Sequence, residues 1–177
     1  MGAIKRYFED GAVYFVTTVT FFRRKIFNNS DHARFLLFSI GYHRYLLDFK
    51  LFGYVIMPDH IHMLIQPKSE LQSISKIMQH IKGNFARKYN EMVDRHLSAG
   101  LRDANGKGKR RYSPVWQEGF YDTGLRDEIA FHKWLEYMHN NPIKTGLAAE
   151  AGMYEFSSYN QYHLGHRSSI QIPIDRA

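Results

Sequence analysis

The chain of 177 residues contains no cysteine. Disulfides, thiolate zinc centres and a cysteine nucleophile are therefore excluded, and the absence suits a reducing compartment. The opening MGAIKRYFEDG holds no apolar core of signal-peptide length. No window approaches the run of about 20 apolar residues that a membrane-spanning helix needs. No segment repeats, and no aromatic ribonucleoprotein motif stands on a candidate strand. The expectation is a soluble, cytoplasmic protein of one domain. What the sequence does have is core-forming material and positive charge. Hydrophobic residues make up 44% and aromatics 15%, and 24 Lys plus Arg face 17 Asp plus Glu, a formal net charge of +7. The first figure argues against extensive disorder. The surplus of cations points to a polyanionic partner, nucleic acid before membrane.

Periodicity supplies the elements. AVYFVTTVTFF (12–22) alternates and is β-branched and aromatic, which predicts a strand. Ser30 and Asp31 can cap a helix over 30–47, with Phe35, Phe38 and Tyr42 among its apolar positions. Residues 50–57 and 60–66 read as two strands joined through Pro58-Asp59. Ser69 with Gln72 forms a capping box, followed by Leu71, Ile74, Met78, Ile81 and Phe85 at helical spacing to about residue 90. RDANGKGKRRYS, rich in glycine and cations, predicts a loop. A strand is expected over 115–121 and a helix over 127–140, limited by Pro142. The order strand, helix, strand, strand, helix, strand, helix is that of an α+β, ferredoxin-like (split βαβ) antiparallel sheet with helices on one face and a final tyrosine-bearing helix. Residues 1–156 form the expected domain, with 94–113 as an inserted basic loop and 157–177 as a tail that packs on the surface or moves.

VIMPDHIHMLIQP (55–67) places two histidines in an apolar run. On a strand His60 and His62 share a face while Ile61, Met63 and Ile65 take the other. Two neutral imidazoles one pleat apart can hold one divalent ion, or can be two structural histidines. With 10 histidines in the chain, chance alone supplies about half a His-x-His pair. KWLEYMHNNPIKTGL (133–147) adds a second group: Phe131, Leu135 and Met138 make a packing stripe, and Tyr137 lies off it. Asn141, four residues on, can share the face of Tyr137 and offer an amide oxygen to magnesium or manganese. A tyrosine hydroxyl with its usual pKa near 10 is a poor nucleophile until the phosphodiester it attacks is activated.

His60-Ile61-His62 after Met-Pro-Asp resembles the HUH motif, and VWQEGFYDTGLRDE (115–128) followed by YMHNNPIKTGL (137–147) resembles the tyrosine-helix region of single-tyrosine HUH transposases. Within that group the similarity is greatest to the transposase-like proteins associated with repetitive extragenic palindromes, and it runs from FVTTVTFFRR to YEFSSYNQY, most of the chain. Asp59 stands where many relatives carry Asn, and the 94–111 insertion is longer than in the family pattern. The resemblance implies Tyr137 as nucleophile and His60, His62 and Asn141 as ligands of Mg or Mn. It implies cleavage of single-stranded DNA near a hairpin through a 5′-phosphotyrosine, followed by strand transfer. Neutral histidine ligands would set a loss of activity below about pH 6.

The cations fit such a substrate. Lys76, Lys82, Arg87 and Lys88 on the second helix, and Lys107, Lys109, Arg110 and Arg111 in the loop, are candidate phosphate contacts. The alternatives are a domesticated hairpin-processing nickase and a non-catalytic single-stranded nucleic-acid-binding module stacking bases on Tyr14, Phe15 and Tyr54. A monomer suffices if Tyr137 completes its own chain's site. A homodimer is required if the tyrosine helix crosses to a partner.

Overall fold

The computed structural model describes residues 11–69, 72–98 and 113–176, the side chains of 94–98 excepted. Four strands, β1 (Val13–Val19), β2 (Lys50–Met57), β3 (His60–Gln66) and β4 (Tyr121–Leu125), form one antiparallel sheet in the order β2-β3-β1-β4. Helix α1 (Ser30–Leu47) joins β1 to β2, and α2 (Ile74–Ser98) leads from β3 towards β4. Helix α3 (Glu128–His139), the single turn α4 (Asn141–Lys144) and the short α5 (Tyr159–His163) complete the order. Strand β3 lies between β1 and β2, as a split βαβ unit requires.

Side-chain alternation divides the sheet into two faces. Tyr14, Val16, Ile61, Met63 and Ile65 point to one face, where Leu36, Leu37 and Ile40 of α1 and Ile77, Met78, Ile81 and Phe85 of α2 close an apolar core. Phe15, Phe52, Val55 and Leu64 point to the other, against Phe131, Leu135 and Met138 of α3. The expectation of helices on one face holds for α1 and α2, and α3 corrects it. The stripe at i, i+4 and i+7 gives α3 its own apolar seam, and the back of the sheet is the surface that receives it. Gly53 permits the approach, because a Cβ there would run into the side chains of Met138 and Leu135.

Local signals differ in detail from the predicted ones. The cap of α1 is Asn29, whose side chain accepts from the Asp31 amide, and left-handed Asp48 ends it. Gln72 closes a turn back onto the Ser69 carbonyl, and the helix itself begins at Ile74; Leu71 lies outside the described residues. Helix α2 continues past residue 90 to Ser98. The strand predicted over 115–121 is displaced: Trp116 makes an isolated bridge to Thr20, and the true strand starts at Tyr121. The bulk of Val115 and Trp116 is used for burial, whereas YDTGL pairs as an edge strand without apolar alternation.

Residues after Phe156 pack along the outer edge of β2. The Ile56 amide donates to Phe156 O (2.9 Å), the Ser158 amide to Tyr54 O (3.0 Å) and the Asp175 amide to Leu51 O (2.7 Å). Among the described residues no helix is long and apolar enough to cross a membrane.

Candidate active site

A cavity of about 410 Å³ opens on the α3 face, lined among others by Thr17, Arg23, His60, His62, Tyr121, Tyr137 and Asn141. The sheet register explains who meets whom. His62 is paired with Thr17 on β1, and Thr17 with Tyr121 on β4, so the three form one row across the sheet. Beneath them Phe15 stacks on Trp134 (centroids 4.3 Å) and on His62 (5.2 Å), which fixes the floor and one imidazole plane.

Tyr137 stands over this floor. Its ring meets His62 edge-on at 5.6 Å and Phe15 at 6.0 Å, yet it keeps 40% of its surface open to solvent. The Lys144 ammonium lies 5.2 Å from its ring centroid. Asn141 is buried at the foot of the same wall, four residues on. The amide of Asn140 donates to Glu136 O (2.9 Å) and that of Lys144 to Asn140 O (3.0 Å), so helical bonding carries across the junction. Pro142 therefore opens α4 instead of ending the wall, as its missing N–H and fixed φ allow at a first turn. Tyr137, His60, His62 and Asn141 all line the cavity.

Both histidines have one ring nitrogen fixed by a neighbour. His62 Nδ1 and Thr17 Oγ1 share a hydrogen bond of 2.7 Å, in which Nδ1–H is the donor when Nε2 accepts, and His60 Nδ1–H donates to Asp59 Oδ1 at 2.5 Å. This leaves each Nε2 as the nitrogen with a lone pair, the tautomer a metal-binding imidazole needs, oriented by an outer partner in the usual way. His62 Nε2 accepts from the Asn141 side-chain amide at 3.0 Å. Turning that amide over puts its oxygen in the same place, so two imidazole nitrogens and one amide oxygen fit a divalent ion. Among the described residues no three His, Cys, Asp or Glu side chains gather to hold a metal, and here the third group is an amide.

Electrostatics keep the set in its working form. Burial pulls His62 down from 6.5 to about 3, helped by the charge of His60 and opposed by Asp59. The expected acid loss below pH 6 thus cannot come from protonating His62. Burial alone would raise Asp59, but the hydrogen bond and charge of His60, with Arg23 at 3.1 Å, outweigh it and lower the carboxyl. It remains an anion behind His60.

Among the described residues, the predicted cations of α2 do not line the cavity. Helix α2 lies across the sheet from the cavity, so Arg87 and Lys88, both exposed, do not line it, and Lys88 pairs with Glu91 at 3.0 Å. Lys76 is exposed on the same helix. The Lys82 ammonium donates to the Gln117 and Gly119 carbonyls, and burial lowers it to about 8. It ties α2 to the segment before β4. Lys107, Lys109, Arg110 and Arg111 lie outside the described residues. The pattern missed Thr17, Arg23, Trp134 and Tyr121. For Thr17 a signal exists, a polar residue on the inward alternation of a strand; for the others only the tertiary pairing reveals them.

The profile of the family described as "Transposase IS200 like" matches residues 10–141, from the start of β1 to Asn141. The chain belongs to the IS200-like transposase family. A Haemophilus influenzae protein described as a REP-associated tyrosine transposase is 26% identical over 162 residues, covering 91% of this chain and 87% of that one. The solved structure of a REP-associated tyrosine transposase bound to a REP hairpin shares the fold with a TM-score of 0.70 at 18% identity, over 100% of this transposase and 94% of that chain. The family match spans the histidine strand and the tyrosine helix, the two halves of the cavity.

Proposed function

We propose that this transposase cuts and rejoins single-stranded DNA beside a hairpin, with Tyr137 as the nucleophile. The observation that carries the reading is the meeting of a half-exposed tyrosine with His60, His62 and Asn141 in one cavity of one chain. Tyr137 Oη forms a bond to phosphorus as the bond from phosphorus to the 3′ oxygen breaks; the phenol loses one proton and the released 3′-hydroxyl gains one. The ester is conserved in the 5′-phosphotyrosine, so a second 3′-hydroxyl can reverse the step on another strand without ATP. The floor of Phe15 and Trp134 holds the nucleophile in place, and Asp59 and Thr17 keep both imidazoles aimed at the cavity. A magnesium or manganese ion held by His60, His62 and Asn141 would polarise the phosphate and offset its charge. Hairpin DNA as the target class rests on the two REP-associated relatives.

The test is a denaturing gel of labelled hairpin DNA with single-stranded flanks, incubated with manganese and wild type, Tyr137→Phe or His62→Ala. The reading expects a covalent protein–DNA band from wild type alone. An adduct formed by Tyr137→Phe would remove Tyr137 as nucleophile. Binding by wild type without any adduct would favour the nucleic-acid-binding module.

A further inference from the structure

The turn after β1 is built in a conformation that folding alone does not favour. Phe22 has φ 54 and ψ 30, and Arg23 follows at φ 50, two left-handed residues in succession without a glycine. L side chains rarely adopt this region, and a bulky aromatic least of all. The surroundings impose it. The Thr20 amide donates to Asp59 O (2.8 Å), the Phe21 amide to Val115 O (2.8 Å), the Arg23 amide to Thr20 O (2.9 Å) and the Gln117 amide to Val19 O (2.9 Å). A glycine at position 22 would meet these bonds at no steric cost. The Phe22 ring gains little packing in return: it leans on Phe21 at 4.3 Å and leaves 81% of the residue in solvent. A strained backbone that holds an apolar ring out in water, one residue from the wall of a cavity, points to a ligand.

A second exposed ring lies at the cavity that Arg23, the residue after Phe22, helps to line. Tyr121 is 57% exposed and lines the cavity directly. It lies in register with Thr17, and Thr17 with His62, which puts it two strand spacings, about 10 Å, from the histidine along the row. The segment that leads to it is the one paired with the Phe22 turn and tied down by Lys82. Arg23 lines the cavity between this turn and Asp59, and its side chain stays 66% exposed. A guanidinium has five N–H donors, and those not on Asp59 can meet a phosphate. Arg24 and Lys25 add charge to the same turn.

We propose that Phe22 and Tyr121 are a stacking platform for bases of the single strand flanking the scissile phosphate, with Arg23 contacting its backbone. Aromatic rings beside cations bind single strands because every base offers a π face and every linkage a charge. A protein partner would also find apolar rings here, but it would not need the run of three cations beside them. The proposal rests on the reading of the cavity as a single-strand cleavage site.

The experiment measures binding of a fluorescent hairpin with single-stranded flanks, with chelator present so that nothing is cut. Wild type, Phe22→Gly, Phe22→Trp and Tyr121→Ala are compared on intact DNA and on versions carrying one abasic site at successive flank positions. Phe22→Gly and Tyr121→Ala should each weaken binding by roughly fivefold to a hundredfold, and Phe22→Trp should not. At one flank position the abasic site should weaken wild type by a similar factor and Phe22→Gly no further. The melting temperature of Phe22→Gly should hold or rise, since glycine relieves the turn. Variants that bind as wild type does, or that lose affinity independently of the abasic site, overturn the platform. The same proteins with manganese separate the two readings. A platform effect without a Tyr137 adduct sinks cleavage and keeps the platform; an adduct with unchanged binding in every variant does the reverse. No binding by wild type sinks both.

Discussion

The two faces of one sheet are made by the same strands and serve opposite ends. On β3, Ile61, Met63 and Ile65 enter a core closed by α1 and α2, while their neighbours His60 and His62 face a cavity under α3. The first face buries its apolar groups almost completely. The second keeps an open tyrosine, two imidazoles and an amide within a few ångströms of each other, and its own apolar cluster is smaller. A one-residue change of register would exchange them, placing imidazoles in the core and isoleucines in the site. The larger apolar core thus lies on one side of the sheet, and the candidate site on the other.

Substitutions can break this division. Tyr137→Phe should abolish adduct formation, a loss of ~10³-fold or more, with an unchanged melting temperature. Phe85→Ala, on the other face, should cost about 3–5 kcal/mol in denaturant unfolding and leave the chemistry intact in whatever stays folded. Chelation of divalent ions should stop cleavage on the gel while hairpin binding persists. Thr17→Val should leave the fold in place and weaken manganese affinity by about 10–100-fold in a titration, because the His62 tautomer loses its anchor.

A pH series sharpens the comparison. His62 and His139 are both lowered by burial from 6.5 to about 3. A group whose folded pKa is depressed stabilises the fold fully above its unfolded pKa, and that contribution is lost as pH falls from about 6.5 towards 3. The melting temperature should therefore decline through that window, and His139→Gln should flatten the decline. The smallest expected effect is Gly53→Ala, about 1–2 kcal/mol, with a slower adduct as Leu135 and Met138 shift α3.

Much of this was legible in the sequence for reasons that differ by element. Helix α1 and strands β2 and β3 were readable because their hydrophobic periods are strong and punctuated by Asn, Asp and Pro. Strand β4 was not, because an edge strand containing Asp122 and Gly124 shows no alternation, while Val115 and Trp116 beside it look more like a strand than they are. His60, His62, Tyr137 and Asn141 stood out by spacing and by family likeness. Thr17 and Tyr121 join the row of His62 only through strand pairing between distant segments, which no local pattern encodes. The carbonyl partners of Lys82 were not legible, because charge on a helix says nothing about which carbonyls lie within reach of its ammonium.

The two hydrogen bonds through Asn140, to Glu136 O and from the Lys144 amide, have a mechanical consequence. Tyr137 and Asn141 are carried by one lever, while His60 and His62 are fixed in the sheet. Loosening of the lever would withdraw the Tyr137 hydroxyl and the Asn141 amide together. In the proposed mechanism the nucleophile and the third cation ligand would then be lost at once, so that a half-built site would be an idle one.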